Sequence, residues 1–210
     1  MTEQFITVRH RASDEFVINR SRFIGYACPC STEEEALSFL QEIREIHRDA
    51  THHCYAYIIG MNSGIMRYSD DGEPGGTAGL PIMEVMRAEQ VVNCCVVVVR
   101  YFGGTLLGTG GLVRSYTQGC KIALGAAEVV RMEHTLHYLC EVPYSCWDSV
   151  LHSAESLPIH ISSPDYAASI TFTVDVRSAD SEQMLEKLAA ITSRKLEAIP
   201  SGETFEPWSI

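Results

Sequence analysis

The stretch Val91-Val92-Asn93-Cys94-Cys95-Val96-Val97-Val98-Val99-Arg100-Tyr101-Phe102-Gly103-Gly104-Thr105-Leu106-Leu107-Gly108-Thr109-Gly110-Gly111 decides how the N-terminal part of the chain folds. Val91–Tyr101 reads as a strand, and its run Cys94–Val99 is apolar without alternation, as expected of a central strand covered on both faces. Glycines end it. Leu112, Val113, Tyr116, Ile122, Ala123 and Leu124 then predict a helix. Strand, Gly-rich loop, helix is the order in which backbone N–H groups face an anion at the positive end of a helix dipole. Arg100, Arg114 and Lys121 stand beside that loop, and no acid occurs between Val98 and Leu124. The expected anion-contacting set is therefore Arg100, Gly103, Gly104, Thr105, Gly110, Gly111 and Arg114. Gly-rich turns also serve tight backbone packing, and this one matches neither the dinucleotide-binding nor the Walker pattern.

Upstream, periodicity breaks from Tyr68 to Gly79, where Asp70, Asp71 and Glu73 alternate with Gly72, Pro74, Gly75, Gly76 and Thr77 before a helix through Ile82, Met83, Val85 and Met86. Acids beside Gly and Pro form turns. Carboxylates so clustered also supply ligands to a hard cation or act as acid and base groups, with His52 as a second proton-transfer candidate. Further upstream, Phe5–His10, Asp14–Asn19, Arg22–Cys28 and His53–Ile59 read as strands. Ser31 followed by Glu34 matches a capping box, opening a helix whose apolar face carries Leu37, Leu40 and Ile43.

Downstream of a junction near Arg131–Thr135 the pattern changes. Leu136–Tyr144 is strand-like, and Ser145–Ser156 is helix-like with Trp147, Val150, Leu151 and Ala154 on one face. Ile159–Ser163 and Ala168–Val176 are strands flanking a turn at Pro164-Asp165, the second burying Ile170, Phe172, Val174 and Val176. Ser181 caps a helix with Met184, Leu185, Leu188, Ala189 and Ile191 as its apolar stripe, and a last strand runs from Lys195 to about Phe205. The order βαββαβ predicts a ferredoxin-like sandwich, an arrangement that specifies no function. The fold class is α+β with two domains, 1–132 and 133–210.

Composition narrows the function. With 46% apolar and 20% charged residues the chain builds packed cores, and its net charge of −11 opposes general attraction to nucleic acid or anionic membrane. Residues 1–132 carry 12 basic and 15 acidic side chains, net −3; residues 133–210 carry 4 and 12, net −8. An acidic C-terminal domain with so few Lys and Arg is a poor RNA-recognition module. The N-terminal Met1-Thr2-Glu3-Gln4 lacks the layout of a signal peptide, so the eight cysteines are expected as reduced thiols in a cytoplasmic protein. The longest apolar run is far below the roughly 20 residues of a membrane helix. No metal site is expected: His52 and His53 are adjacent in a strand and point to opposite faces, and no Cys pair has the Cys-x2-Cys spacing. No nucleophile elbow or cofactor motif occurs.

Ser21-Arg22-Phe23-Ile24-Gly25, Ala50-Thr51-His52-His53-Cys54-Tyr55-Ala56-Tyr57, the Asp70–Gly79 run with Pro81, and Val98–Gly108 together resemble the IMPACT family in its bacterial, YigZ-like form. The resemblance covers essentially the whole chain. It implies an N-terminal domain with the left-handed βαβ topology of a small-subunit ribosomal protein and of GHMP kinases, and a C-terminal domain similar to one in elongation factor G. By the same resemblance, eukaryotic members are regulators of translation and carry an additional N-terminal module for partner binding that this chain is expected to lack. For the bacterial form it implies a link to translation or nucleic acid and no established reaction.

Three functions follow as expectations. The first is a non-enzymatic binding protein, linked to translation, that contacts RNA or another anion through the Gly-rich loop. The second is an enzyme or phosphate-ligand site formed by the acidic and Gly-rich loops together. In the third, the acidic C-terminal domain docks a basic partner such as a ribosomal protein. The opposite charge of the two loops favours a cleft over a flat platform.

Overall fold

A computed structural model describes residues 4–208; the residues Met1–Glu3, on which the reading of a leader rests, lie outside the described residues. The chain divides into two compact units, one up to Arg131 and one from Met132. In the N-terminal unit the elements are β1 (Gln4–Val8), β2 (Ala12–Ile18), β3 (Ser21–Pro29), α1 (Glu33–Ile46), β4 (His52–Ile59), β5 (Ile65–Ser69), α2 (Gly79–Ala88), β6 (Cys94–Tyr101) and α3 (Gly108–Ala126). The strands β2-β3-β6-β4-β5 form one sheet, every neighbouring pair antiparallel.

At its centre, β6 explains the unbroken apolar run. Val96 and Val98 face a core with Ile82, Met86, Tyr116 and Ala123 of α2 and α3, whereas Cys95, Val97 and Val99 face Phe39, Leu40 and Ile43 of α1. Period-two alternation still holds, but both faces are covered, so both demand apolar residues. Helix α3 lies so close to β3 that a Cβ on Gly25 would collide with the Gly119 carbonyl, and one on Gly119 would come within 2.7 Å of Val98 Cγ1. Glycine at both positions lets the helix seat on the sheet.

The C-terminal unit holds β7 (Val129–Val142) from Met132 onward, α4 (Tyr144–Ala154), β8 (Ile159–Tyr166), β9 (Ile170–Arg177), α5 (Ser181–Ile191) and β10 (Glu197–Pro207). Its strands lie in the order β10-β7-β9-β8, all antiparallel. The expected alternation on β9 is realised: Ile170, Phe172, Val174 and Val176 are buried against Trp147, Val150, Met184 and Leu188.

Several local expectations are corrected. The capping box uses Thr32 and Glu35, one residue later than Ser31 and Glu34: Thr32 Oγ1 accepts from Glu35 N–H, and Glu35 returns a carboxylate to Thr32 N–H and to Ser31 N–H. Both registers fit the motif. The later one turns Ala36, Phe39, Leu40 and Ile43 inward and leaves Leu37 46% exposed. Strand β5 has no expected counterpart, being short and mostly exposed. Pro164 and Asp165 lie inside β8 at a register shift between Ser162 and Asp165, which is how a strand accommodates proline. The reversal occurs instead around Ala167–Ser169. Asp180 occupies the cap position of α5, and the Ser181 hydroxyl donates back to the Ser178 carbonyl. Leu151 and Ile191 are exposed rather than part of their stripes.

Candidate functional site

The acidic loop between β5 and α2 is organised by its first carboxylate. Asp70 Oδ1 accepts from Ala78 N–H at 3.0 Å and Gly79 N–H at 2.8 Å, and Oδ2 from Gly76 N–H at 2.8 Å. No side chain at Ala78 caps α2. Asp70 therefore does from within the chain what a bound anion does at a helix start, satisfying orphan N–H groups at the positive end of the dipole. Asp71, in the left-handed region at φ 43°, accepts from His53 N–H at 2.6 Å and faces Arg44 at 3.4 Å. Thr77 closes the turn by donating to the Pro74 carbonyl. Gly75 is exposed.

Glu73 is different. It is 8% exposed and carried beneath the loop, where its Oε1 accepts from Arg100 Nη1 at 2.5 Å and from the Tyr116 hydroxyl at 2.7 Å. Arg100 itself is 4% exposed, at the end of β6, with the rings of Phe23 and Phe102 at 5.5 and 5.4 Å from its guanidinium carbon. Its Nη2 points to Ser21 Oγ at 3.5 Å, and its Nε has no hydrogen-bond partner. Two opposite charges, one from the acidic loop and one from the end of β6, thus meet in the interior, each contacting further polar or aromatic groups as a buried ion pair requires. Burial pushes the Tyr116 hydroxyl and the Cys54 thiol well above their ordinary values, which keeps both protonated.

Above this pair opens a cleft of about 400 Å³. Thr51, His52, Glu73, Pro74 and Arg100 line one part of it, and Phe102, Leu106, Leu107, Gly108, Thr109 and Leu112 the other. The two glycine-rich stretches therefore converge. Helix α3 begins at the cleft with Gly108, has no side-chain cap and carries no acid in its first turn. Its first N–H groups lack intrahelical partners by geometry. Just before β4, Thr51 holds the rim: its N–H donates to the Arg100 carbonyl and its Oγ1 accepts from Phe102 N–H. Leu106 stands 85% exposed beside the cleft.

Of the expected site residues, His52, Glu73 and Arg100 line the cleft. Asp70, Asp71, Gly76 and Thr77 hold the acidic loop in shape. Gly103 N–H donates to Ser21 Oγ, and a Cβ there would strike the Arg20 backbone, so close packing requires this glycine. Gly104 and Thr105 are exposed; Gly110 and Gly111 lie in the first turn of α3, Gly111 against Leu107. Arg114 is exposed, one turn further along. The basic excess read along Val98–Leu124 is smaller in space, because Glu73 from the other loop neutralises Arg100. The expected set lacks Ser21, Thr51 and Tyr116, which make polar contacts at the site, and the apolar walls from Pro74 and Phe102 to Leu112. Tyr116 reads as one more apolar residue on α3, and nothing in the spacing announces that its hydroxyl reaches Glu73 across the core.

His52 and His53 have different partners, as neighbours on a strand must. The His52 Nδ1 meets the Asp71 carbonyl at 2.7 Å, and the His53 Nε2 meets the His47 carbonyl at 3.0 Å. On the α1 side the His47 ring lies between two phenols, Tyr26 at 2.6 Å and Tyr101 at 2.8 Å. Burial lowers the pKa of both His47 and His53 below the ordinary imidazole value. All eight cysteines are free thiols. Among the described residues no helix is long and apolar enough to cross a membrane.

Residues 19–124, which include both loops of the cleft, match the model of the Impact N-terminal domain. The chain is 34% identical over 203 residues to the IMPACT family member YvyE of Bacillus subtilis, covering 97% of this chain and 93% of that one. This chain belongs to the IMPACT family. The family member YigZ of Escherichia coli is also 34% identical, over 89% of this chain and 92% of its own. A solved structure titled as that of a hypothetical protein matches at TM-score 0.61 and 31% identity, covering 96% of this chain and 99% of that chain. The similarity of these IMPACT relatives thus extends over both α+β units.

Proposed function

We propose that the protein binds a small anionic molecule in the cleft between the acidic loop and the start of α3. The observation that carries this is the convergence of the two loops on one cleft that has a buried Arg100–Glu73 pair and an uncapped, acid-free helix start. A flat basic platform for RNA has less support. Six of the twelve basic side chains of this unit, Arg9, Arg11, Arg22, Arg44, Arg67 and Arg100, are each paired with an acid of the same unit, which reduces the cationic surface open to phosphates. The walls, Pro74, Phe102, Leu106, Leu107 and Leu112, are apolar, which suits the body of a small ligand with a few polar anchors. In the C-terminal unit, the βαββαβ order with strands β10-β7-β9-β8 supports a ferredoxin-like assignment. For the N-terminal unit the family's left-handed βαβ topology is the corresponding proposal, with β3, α1 and β4 as its crossover. A role in translation would be exercised through the bound ligand.

Thermal denaturation with inorganic phosphate, nucleoside 5′-monophosphates and a single-stranded RNA, over a salt series, tests this. A phosphate monoester at a hundred times its dissociation constant should add about 2.7 kcal/mol of stability. RNA affinity that falls steeply with salt, with no shift from any monoester, would overturn the proposal in favour of a phosphate-backbone surface.

A further inference from the structure

Two hydrogen-bond acceptors face each other across the cleft. His52 Nδ1 lies 2.7 Å from the Asp71 carbonyl oxygen. A carbonyl only accepts, so Nδ1 carries the ring hydrogen and Nε2 of the neutral ring presents a lone pair. Gly72 lies against this edge of the ring, where a Cβ would come within 3.5 Å of Cε1 and Nδ1. Nε2 lies 3.9 Å from Glu73 Oε1. That oxygen also accepts from Arg100 and Tyr116, which fix the carboxylate in place. The gap is too long for a hydrogen bond between the two groups. It is the right width for one atom that donates to both at about 2.9 Å.

Donating to two acceptors at once takes two hydrogens on one atom. Water has two; among ligand groups a hydroxyl has one, whereas a primary amine, an exocyclic base amine or an ammonium has two or three and can take the place of such a water. The other features of the cleft agree with a ligand that is both amine and anion. Arg100 lines it, is nine-tenths buried and has an unpartnered Nε, and α3 offers orphan N–H groups with no acid in its own first turn. We propose that the cleft selects small anionic molecules that carry a primary amino group, which seats between His52 Nε2 and Glu73 Oε1. This rests on the small-ligand function proposed above and narrows it to a ligand class.

The test uses matched pairs on the full chain at about pH 8, where imidazole rings are neutral. Adenosine 5′-monophosphate is compared with inosine 5′-monophosphate, which replaces the base amine, and phosphoethanolamine with ethyl phosphate, which lacks the ammonium. The pair that responds shows whether a base amine or an alkyl ammonium is recognised. The amino member of at least one pair should bind about tenfold more tightly, by calorimetric titration. His52→Asn retains an N–H donor for the Asp71 carbonyl but is too short to place an acceptor where Nε2 stands, and should reduce that preference to less than about threefold. Nitrogen NMR of the wild-type ring should show the hydrogen on Nδ1. Equal binding within both pairs, a preference that survives His52→Asn, or a ring hydrogen on Nε2 would each overturn this inference while leaving the small-ligand function standing. Failure of all four compounds to bind would overturn both.

Discussion

Glu73 shows how a single side chain takes its role from a partner far away in sequence. In the loop Asp70-Asp71-Gly72-Glu73 the three acids look equivalent, and all three are candidates for a ligand or a base. The structure separates them: Asp70 binds backbone N–H groups, Asp71 ties the loop to β4 and α1, and Glu73 meets Arg100. Their distinction depends on Arg100 and Tyr116, which local spacing does not place. Removing one member of a buried ion pair strands the other charge, so Glu73→Ala should destabilise the fold by about 3–5 kcal/mol in urea denaturation. Arg100→Ala should cost a similar amount, and the double variant clearly less than the sum, because neither charge is then left alone. Additive losses would show that the two side chains act independently. His52, by contrast, was singled out in the sequence for its chemistry, and its place on the cleft follows from β4 running beside β6.

At the scale of elements, the sequence is most legible where burial imposes a period. The alternation on β9 and the apolar run of β6 identify their strands, because core faces tolerate little else. Element starts are less legible. Ser31/Glu34 and Thr32/Glu35 both satisfy the capping box, and only the inward face of α1 chooses between them. The start of α2 is invisible to any local motif, since its cap is Asp70, eight and nine residues before the N–H groups it binds. Asp70→Ala should therefore cost about 0.5–2 kcal/mol, as loss of a cap does. Hydrogen exchange at Gly76, Ala78 and Gly79 should quicken relative to β6. Unchanged protection there would mean that the helix start does not depend on this carboxylate. Gly25, Gly103 and Gly119 belong to the same scale: each permits a backbone approach that no motif reveals.

For the whole molecule, the family resemblance and the element order led to two α+β units, and the family match and the full-length relatives place the chain in the IMPACT family. The C-terminal unit, net −8 from residue 133 onward, differs from the N-terminal one in charge as well as in topology. The convergence of two loops of opposite charge was an expectation from sequence, but the internal neutralisation of Arg100 was not. That neutralisation turns an apparent basic patch into the floor of a mainly apolar cleft. The central claim is that one cleft in the N-terminal unit holds a small anionic ligand. Amide NMR of the uniformly labelled chain, titrated with adenosine 5′-monophosphate, tests it most directly. Thr51, His52, Glu73, Gly108 and Thr109 should shift together along one saturating curve while β8 to β10 stay still. Shifts confined to the exposed arginines, or spread over the C-terminal unit, would contradict it.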